Sequence, residues 1–143
     1  MKKLTRIETV VFLQKVDLFS ACSAEQILRI SGIVHEEAFE RDDTIYSAND
    51  AAECMYCVVD GTVLLRGPGR PELVLSAPDS LGVNEILSGR LREQHAVAGD
   101  TLRVLKIDAD DLFDLLANNI EIVKALFRRL LDASRTGAGE IET

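Results

Sequence analysis

Apolar positions along the chain change their period twice. Leu4, Ile7, Val10, Val11 and the run from Leu13 to Val16 recur at near-helical spacing and stop at Asp17-Leu18-Phe19, which predicts a short amphipathic helix closed by a turn. Ser23-Ala24-Glu25-Gln26 has capping-box spacing, in which the serine hydroxyl accepts from the third helical amide while the glutamine reaches back. A second helix is expected there with Ile27, Leu28 and Ile30 inward, ended at Gly32 by a left-handed glycine. From 33 to 107 the pattern switches to short runs rich in Val, Ile, Thr and Tyr, broken by Asp-Asp, Asn-Asp, Asp-Gly, Gly-Pro-Gly and Gly-Asp. Turn signals every 8 to 12 residues or so predict an antiparallel sandwich or barrel. Its strands are expected at 33–39, 44–47, 55–59, 62–66, 73–76, 94–98 and 102–107, with Asp60-Gly61 as a hairpin turn. Gly67-Pro68-Gly69-Arg70-Pro71 is read as another turn, because it lacks the bracketing strand and helix and the Gly-Lys-Ser/Thr ending of a phosphate loop.

After Ile107 the helical period returns. Asp108 is placed to cap a helix carrying Leu112, Phe113, Leu115 and Leu116, and Asn118-Asn119 breaks it. Ile120, Val123, Phe127, Leu130 and Leu131, with Leu126 beside them, then form an apolar stripe to about Ser134. That stripe has two readings: packing on the β-structure, or pairing with a second copy of the chain. Residues 136–143 are polar and glycine-rich and read as a flexible tail or linker stub beyond a single domain of residues 1–135.

Composition narrows the function classes. The chain has 143 residues, enough for one core and too few for separate cofactor and substrate lobes. With 47% hydrophobic and 28% charged residues it can bury that core without a disulfide or metal staple. Sixteen basic against 24 acidic residues leave a net charge of −8, which disfavours nucleic-acid binding, since tracking phosphates needs a basic face. No apolar run reaches the roughly 18 residues of a membrane span and the first residues lack a signal-peptide pattern, so a cytoplasmic protein with reduced thiols is expected. Cys54-Met55-Tyr56-Cys57 has the spacing of a metal or redox pair, but in a strand positions three apart face opposite sides, and these cysteines are read as buried apolar groups. His35 and His95 are 60 residues apart without a nearby ligating partner, so neither a metal site nor an enzyme is expected. His95 is read as a hydrogen-bonded or solvated side chain, and Glu36, Glu37, Glu40, Asp42 and Asp43 as a solvated acidic rim.

The order helix, helix, seven or eight short strands, two helices, together with several short motifs, resembles the cyclic nucleotide-binding domain family over about Ile7 to Ser134. Asp17-Leu18-Phe19 resembles the family's opening segment. Asp43-Thr44-Ile45-Tyr46 with Asn49-Asp50 resembles its "Gly-Glu-x-Ile-x-x-x-Gly-Asp" turn pair, and Met55-Tyr56-Cys57-Val58-Val59-Asp60-Gly61-Thr62-Val63 resembles its "Met-Tyr-x-Ile-x-x-Gly-x-Val" hairpin. Asp42 and Asn49 stand where the family has glycine, and both tolerate positive φ better than other side chains do. The resemblance implies an α+β, mainly β domain: an antiparallel jelly-roll-like β-barrel flanked by N-terminal helices and two C-terminal helices.

It also implies a ligand cassette for cyclic AMP or cyclic GMP, with no other cofactor. The stretch Leu81-Gly82-Val83-Asn84-Glu85-Ile86-Leu87 through Arg92-Glu93-Gln94-His95-Ala96-Val97 aligns without a gap on the family's "Phe-Gly-Glu-x-Ala-Leu-Leu" and "Pro-Arg-Thr-Ala-Thr-Val" segments. The resemblance assigns the phosphate to Arg92 and the backbone amides of Gly82, Asn84 and Glu85, with Ile86 in the same short helix. Val83 stands on the ribose-binding glutamate, a loss of about 1–3 kcal/mol for the buried hydroxyl it would leave unpaired. Glu93 replaces a small hydroxyl residue and is placed to repel the phosphate or neutralise Arg92, while Gln94 narrows the pocket. Two functions stay open: a sensor that couples the pocket to the C-terminal helix, or a ligand-independent interaction or dimerisation module. An Arg92 that points into the pocket favours the first, and one tied to Glu93 the second; as a purely structural residue Arg92 is expected to salt-bridge to Glu93 or Glu85 on the surface. Either needs a fused or partner effector, and the terminal stripe offers a homodimer contact.

Overall fold

The computed structural model describes the backbone of residues 2–142 and the side chains of residues 2–132. Thr5 caps α1 (Arg6–Leu13) through a reciprocal box, its hydroxyl accepting from the Glu8 amide at 3.1 Å while Glu8 Oε1 accepts from the Thr5 amide at 2.8 Å. A 3₁₀ turn at Asp17–Phe19 follows, and then α2 (Ala24–Ser31), where Ser23 and Gln26 make the expected box. Gly32 does end α2, but at φ −73°, so the left-handed cap is corrected. The chain runs straight on into a strand, and glycine fits because a Cβ would lie 3.3 Å from the Arg29 carbonyl.

Eight strands follow: β1 (Val34–Phe39), β2 (Thr44–Tyr46), β3 (Cys54–Asp60), β4 (Thr62–Arg66), β5 (Leu73–Ser76), β6 (Ser80–Leu81), β7 (His95–Ala98) and β8 (Leu102–Asp108). They form two antiparallel four-stranded sheets, β1-β8-β3-β6 and β2-β7-β4-β5. The jelly-roll-like frame is as expected, yet the sheets are not closed into a barrel. Among the described residues no ladder joins their edges, and β6, too short to show a period in the sequence, pairs with β3 at only two positions. The positive-φ turns fall where the sequence places them, at Asp42 (φ 73°) and Asn49 (φ 74°), with Gly61 (φ 92°) turning β3 into β4.

Side-chain alternation divides β3 and β8 between two cores. Met55, Cys57, Leu105 and Ile107 face the helices and meet Leu13, Phe19, Ile27, Ile30, Leu112 and Ile122. Tyr56, Val58, Leu102 and Val104 face the opposite sheet and meet Val63, Leu65, Ala96 and Ala98. Both faces of these strands are thus covered, which is why the sequence reads there as nearly continuous apolar runs. The acidic rim is only partly solvated, since Glu36 pairs with Arg103 at 3.0 Å across β1 and β8, and Glu37 with Lys106 at 3.5 Å.

α3 (Val83–Ser88), α4 (Ala109–Ala117) and α5 (Ile120–Glu142) complete the chain. Several helix faces are rotated from the sequence reading: Ile7, Val11, Leu28 and Phe113 are exposed, and the buried line of α5 runs through Ile122, Ala125 and Leu126, leaving Ile120, Phe127 and Leu131 in solvent. Periodicity gives a helix's apolar side only to within a residue or two, and packing chooses the centre of the face. Asp108 takes the N-cap position of α4, but its side chain makes no capping bond. The backbone of α5 stays helical past Ser134, through the segment whose composition suggests a linker. Glycine costs only about 1 kcal/mol relative to alanine in a helix, so composition alone does not end one. No helix among the described residues is long and apolar enough to cross a membrane.

Candidate functional site

The site is built where β6, α3 and the segment before β7 meet the turn between β2 and β3. Gly82 opens α3 at φ 96°, a conformation that strains any residue with a Cβ. A Cβ there would also stand 2.8 Å from Arg92 Nη1 and 3.2 Å from the Cys54 carbonyl, so glycine is what lets the guanidinium approach. The backbone of Arg92 is held on both sides by the β2–β3 turn, its amide donating to the Asp50 carbonyl at 2.9 Å and its carbonyl accepting from the Asn49 amide at 2.8 Å. The positive φ of Asn49 turns the chain so that its amide and the Asp50 carbonyl both meet the backbone of Arg92, and a local turn thus positions the charged residue of a distant segment.

Arg92 is the one fully buried charged side chain among the described residues, 1% exposed. Nη1 donates to the Gly82 carbonyl at 2.8 Å and to Glu85 Oε1 at 3.0 Å, Nη2 donates to the Cys54 carbonyl, and the guanidinium lies 4.2 Å from the centre of the Tyr46 ring. Nε has no partner. The buried cation is therefore met by a carboxylate of its own chain, two carbonyls and an aromatic face, which offset its desolvation at both Nη atoms and leave Nε unpaired. Burial pushes the Tyr46 phenol up to about 12 against the pull of Arg92, and burial with the hydrogen bond from Cys54 raises the Tyr56 phenol in the same direction.

Of the two carboxylates the sequence offers to Arg92, Glu93 turns away. Its carboxylate takes Arg90 at 2.7 Å and Arg70 at 3.2 Å on the surface, while Glu85, in the first turn of α3, neutralises Arg92. Arg92 therefore pairs with Glu85 rather than Glu93, and in the interior rather than on the surface, because neighbouring residues in an extended segment point to opposite sides whereas α3 presents Glu85 across the loop. Gly82, Asn84, Glu85, Glu93 and Gln94 line a cavity of about 210 Å³ whose other wall is Tyr46, Leu65, Leu73 and Leu75. Val83 and Ile86 are not in that wall: both are buried in the core between sheet and helices. A second cavity, of about 300 Å³, runs from Gly82, Val83 and Asn84 to Arg129 and Leu130 of α5 and to Asp17. Arg129 holds Asp17 at 2.7 Å, tying α5 to the 3₁₀ turn.

The profile of the cyclic nucleotide-binding domain matches residues 36–119, most of the chain and all of this cassette. The chain belongs to the cyclic nucleotide-binding domain family. No curated protein matches it. Among solved structures, the N-terminal domain of a transcriptional regulator from Streptomyces coelicolor A3(2) superposes with TM-score 0.78 at 24% identity, over 91% of this chain and 94% of that one. The regulatory domain of Toxoplasma gondii PKA, crystallised with cAMP, gives TM-score 0.75 at 18% identity over 91% and 50% of the two chains. The regulatory subunit of a cAMP-independent protein kinase A from Trypanosoma cruzi, bound to guanosine, gives 0.72 at 19% identity over 93% and 51%. The chain thus spans about half the length of these two kinase regulatory proteins.

Within the family frame, the structure brings Gly82, Asn84, Glu85, Arg92, Glu93 and Gln94 to one place and leaves Val83 and Ile86 behind it. Tyr46, which covers Arg92, was singled out in the sequence only as part of a turn motif. Cys54 and Cys57 sit on opposite faces of β3 as strand alternation requires, Cys54 Sγ donating to the Tyr56 hydroxyl at 3.1 Å. His95 Nδ1 accepts from the Ala48 amide at 3.1 Å. Away from the cassette, His35, Asp108 and Asp111 converge, with ligating atoms within 4.8 Å of one another, a juxtaposition the linear spacing hides. The Lys106 amine, 3.9 Å from Asp108, already supplies a cation to that cluster.

Proposed function

We propose that this chain is a non-catalytic regulatory domain whose cassette is held closed by its own carboxylate and does not respond to cyclic AMP or cyclic GMP. The observation that carries the reading is the Arg92–Glu85 pair at 3.0 Å beneath Tyr46. A cyclic phosphate is a monoanion. To reach Arg92 it must displace Glu85 and the Tyr46 ring, or else sit beside a carboxylate with no free guanidinium to balance the two. Val83 adds the loss of the ribose acceptor to that cost, since a valine side chain has no oxygen to offer a hydroxyl. The existence of a fold relative described as cAMP-independent is in keeping with a family member that has left cyclic nucleotides behind.

Regulation would then pass between the cassette and α5 along the second cavity, with Asp17–Arg129 as the clasp that sets the helix position. The exposed Phe127 and Leu131 on the outer face of α5 are the surface offered to a second copy or to a fused or partner effector. Three unpaired cysteines suit a reducing, cytoplasmic setting. The test is calorimetric titration of cyclic AMP and cyclic GMP into the protein and into Glu85→Ala. We expect no saturable heat from the unaltered chain up to 1 mM or so, which bounds binding energy at about −4 kcal/mol. Micromolar binding that Arg92→Ala abolishes would establish the sensor reading in its place.

A further inference from the structure

We propose that His35, Asp108 and Asp111 form a site for one divalent ion of the zinc class, where β1 meets the start of α4. An imidazole nitrogen and one carboxylate oxygen from each aspartate lie within 4.8 Å of one another. Strand pairing builds the trio. The antiparallel register sets His35 opposite Lys106, so Asp108, two residues further along β8, falls on the same face as a diagonal neighbour about 7–8 Å away. Asp111 enters from the first turn of α4. The site shares no residue with the cassette and stands whether or not the cassette binds a nucleotide.

The donors are free to ligate. Asp108 is the N-cap residue of α4 and makes no capping bond, and Asp111, three residues on, does not close the reciprocal box that Thr5–Glu8 and Ser23–Gln26 close. The Ala109 amide goes instead to the Glu53 carbonyl at 2.8 Å. Lys106 Nζ is the nearest cation, 3.9 Å from Asp108 and 3.5 Å from Glu37, beyond ordinary hydrogen-bond length in both directions. Glu37 Oε2, the oxygen facing that amine, is buried without a hydrogen-bond partner. An ion that takes Asp108 therefore leaves the ammonium an acceptor to close on, and no group is stranded. The donor set also selects the ion. One imidazole with two carboxylates suits zinc, whereas magnesium and calcium take oxygen ligands, usually six or more. Ligand atoms around a tetrahedral zinc stand about 3.4 Å apart, so side-chain rotation has to draw this trio together by at most about 1.4 Å, with water in the fourth position.

The experiment titrates Zn²⁺ by calorimetry into the full chain, His35→Gln, Asp111→Asn and, as a control for thiolate binding, Cys22→Ser. His35 is exposed and Asp111 half-buried, so both variants keep the fold, which equal urea midpoints in the presence of a chelator verify. Expected is 1:1 saturation with a Kd on the order of 10 µM, weaker than a closed four-ligand site because one ligand is water. His35→Gln and Asp111→Asn should each weaken it about 10-fold or more, Cys22→Ser should leave it unchanged, and Mg²⁺ or Ca²⁺ at about 1 mM should not compete. Co²⁺ in place of Zn²⁺ should give the visible bands of a four-coordinate ion, lost in His35→Gln. Because the ion ties β1 to α4, zinc should also slow amide exchange along 109–117. No saturation below about 1 mM overturns the proposal. So does full-strength binding in both His35→Gln and Asp111→Asn, which puts the ion elsewhere, or equal binding of Mg²⁺ or Ca²⁺, which reduces the site to an acidic patch. None of these outcomes bears on the cassette, which the cyclic nucleotide titrations test separately.

Discussion

Arg92→Ala separates a structural arginine from one kept free for a ligand. In the folded chain the guanidinium is 1% exposed and its partner Glu85 side chain 17%, so solvent screens the pair little. The substitution removes the bonds to Gly82, Glu85 and Cys54 and the contact with Tyr46, and strands the Glu85 carboxylate beside a void. Breaking a buried pair from one side costs about 3–5 kcal/mol, of which partial access of water to Glu85 recovers some, so about 3 kcal/mol is expected. For a chain of this length that is a fall in Tm on the order of 10 °C. Against a typical total of about 5–15 kcal/mol the variant still folds, so urea denaturation with an unchanged m-value can measure the loss. Glu85→Ala combined with Arg92→Ala should cost less than the two single substitutions together, giving a coupling of about 1.5 kcal/mol or more. All of this is measured without ligand. An arginine waiting in a solvated pocket would cost within about 0.5 kcal/mol, and a loss below about 1 kcal/mol for Arg92→Ala refutes the self-paired cassette.

Three further outcomes are expected. Burial pushes the Cys57 thiol and the Tyr46 phenol up to about 12, so both favour the neutral form in the folded state. Their contribution is complete below the unfolded values of about 8.5 and 10 and is lost as pH rises toward the folded ones, so urea midpoints should fall steeply above about pH 9 and native Cys57 should resist iodoacetamide at pH 8; rapid alkylation of Cys57 in the folded protein would contradict its burial. Asn49→Val forces a β-branched residue into φ 74° and should cost about 1–2 kcal/mol, whereas Asn49→Gly should stay within about 0.5 kcal/mol, both read by urea denaturation; equal stability of the two would show the turn is not strained. Arg129→Ala removes a pair that is largely solvent-exposed and should lower global stability by less than about 1 kcal/mol while raising amide exchange along 120–132, so unchanged exchange there would argue against Asp17–Arg129 as the clasp of α5.

Local chemistry made much of the architecture legible from the chain alone. Both ends of a capping box lie within four residues, so Ser23 and Gln26 announced α2, as Thr5 and Glu8 could have announced α1 by the same spacing. Asp42 and Asn49 replaced glycine without cost to the turns because their left-handed conformations are set by nearest neighbours, and seven of the strands follow from runs of apolar and β-branched residues between such turns. What the sequence does not contain is the choice among equivalent partners. Glu85 and Glu93 are both carboxylates near Arg92 along the chain, and only the placement of α3 against the segment before β7 sends one to Arg92 and the other to Arg70 and Arg90. The same holds for Val83, which stands on the family's ribose-binding position while packing seats it in the core at the edge of the second cavity, and for the two-residue β6 and the open sheet edges, which have no periodic signal. Period and capping are properties of a few consecutive residues; the pairing of a buried charge depends on which surfaces the whole chain brings together, and the function of this cassette turns on that pairing.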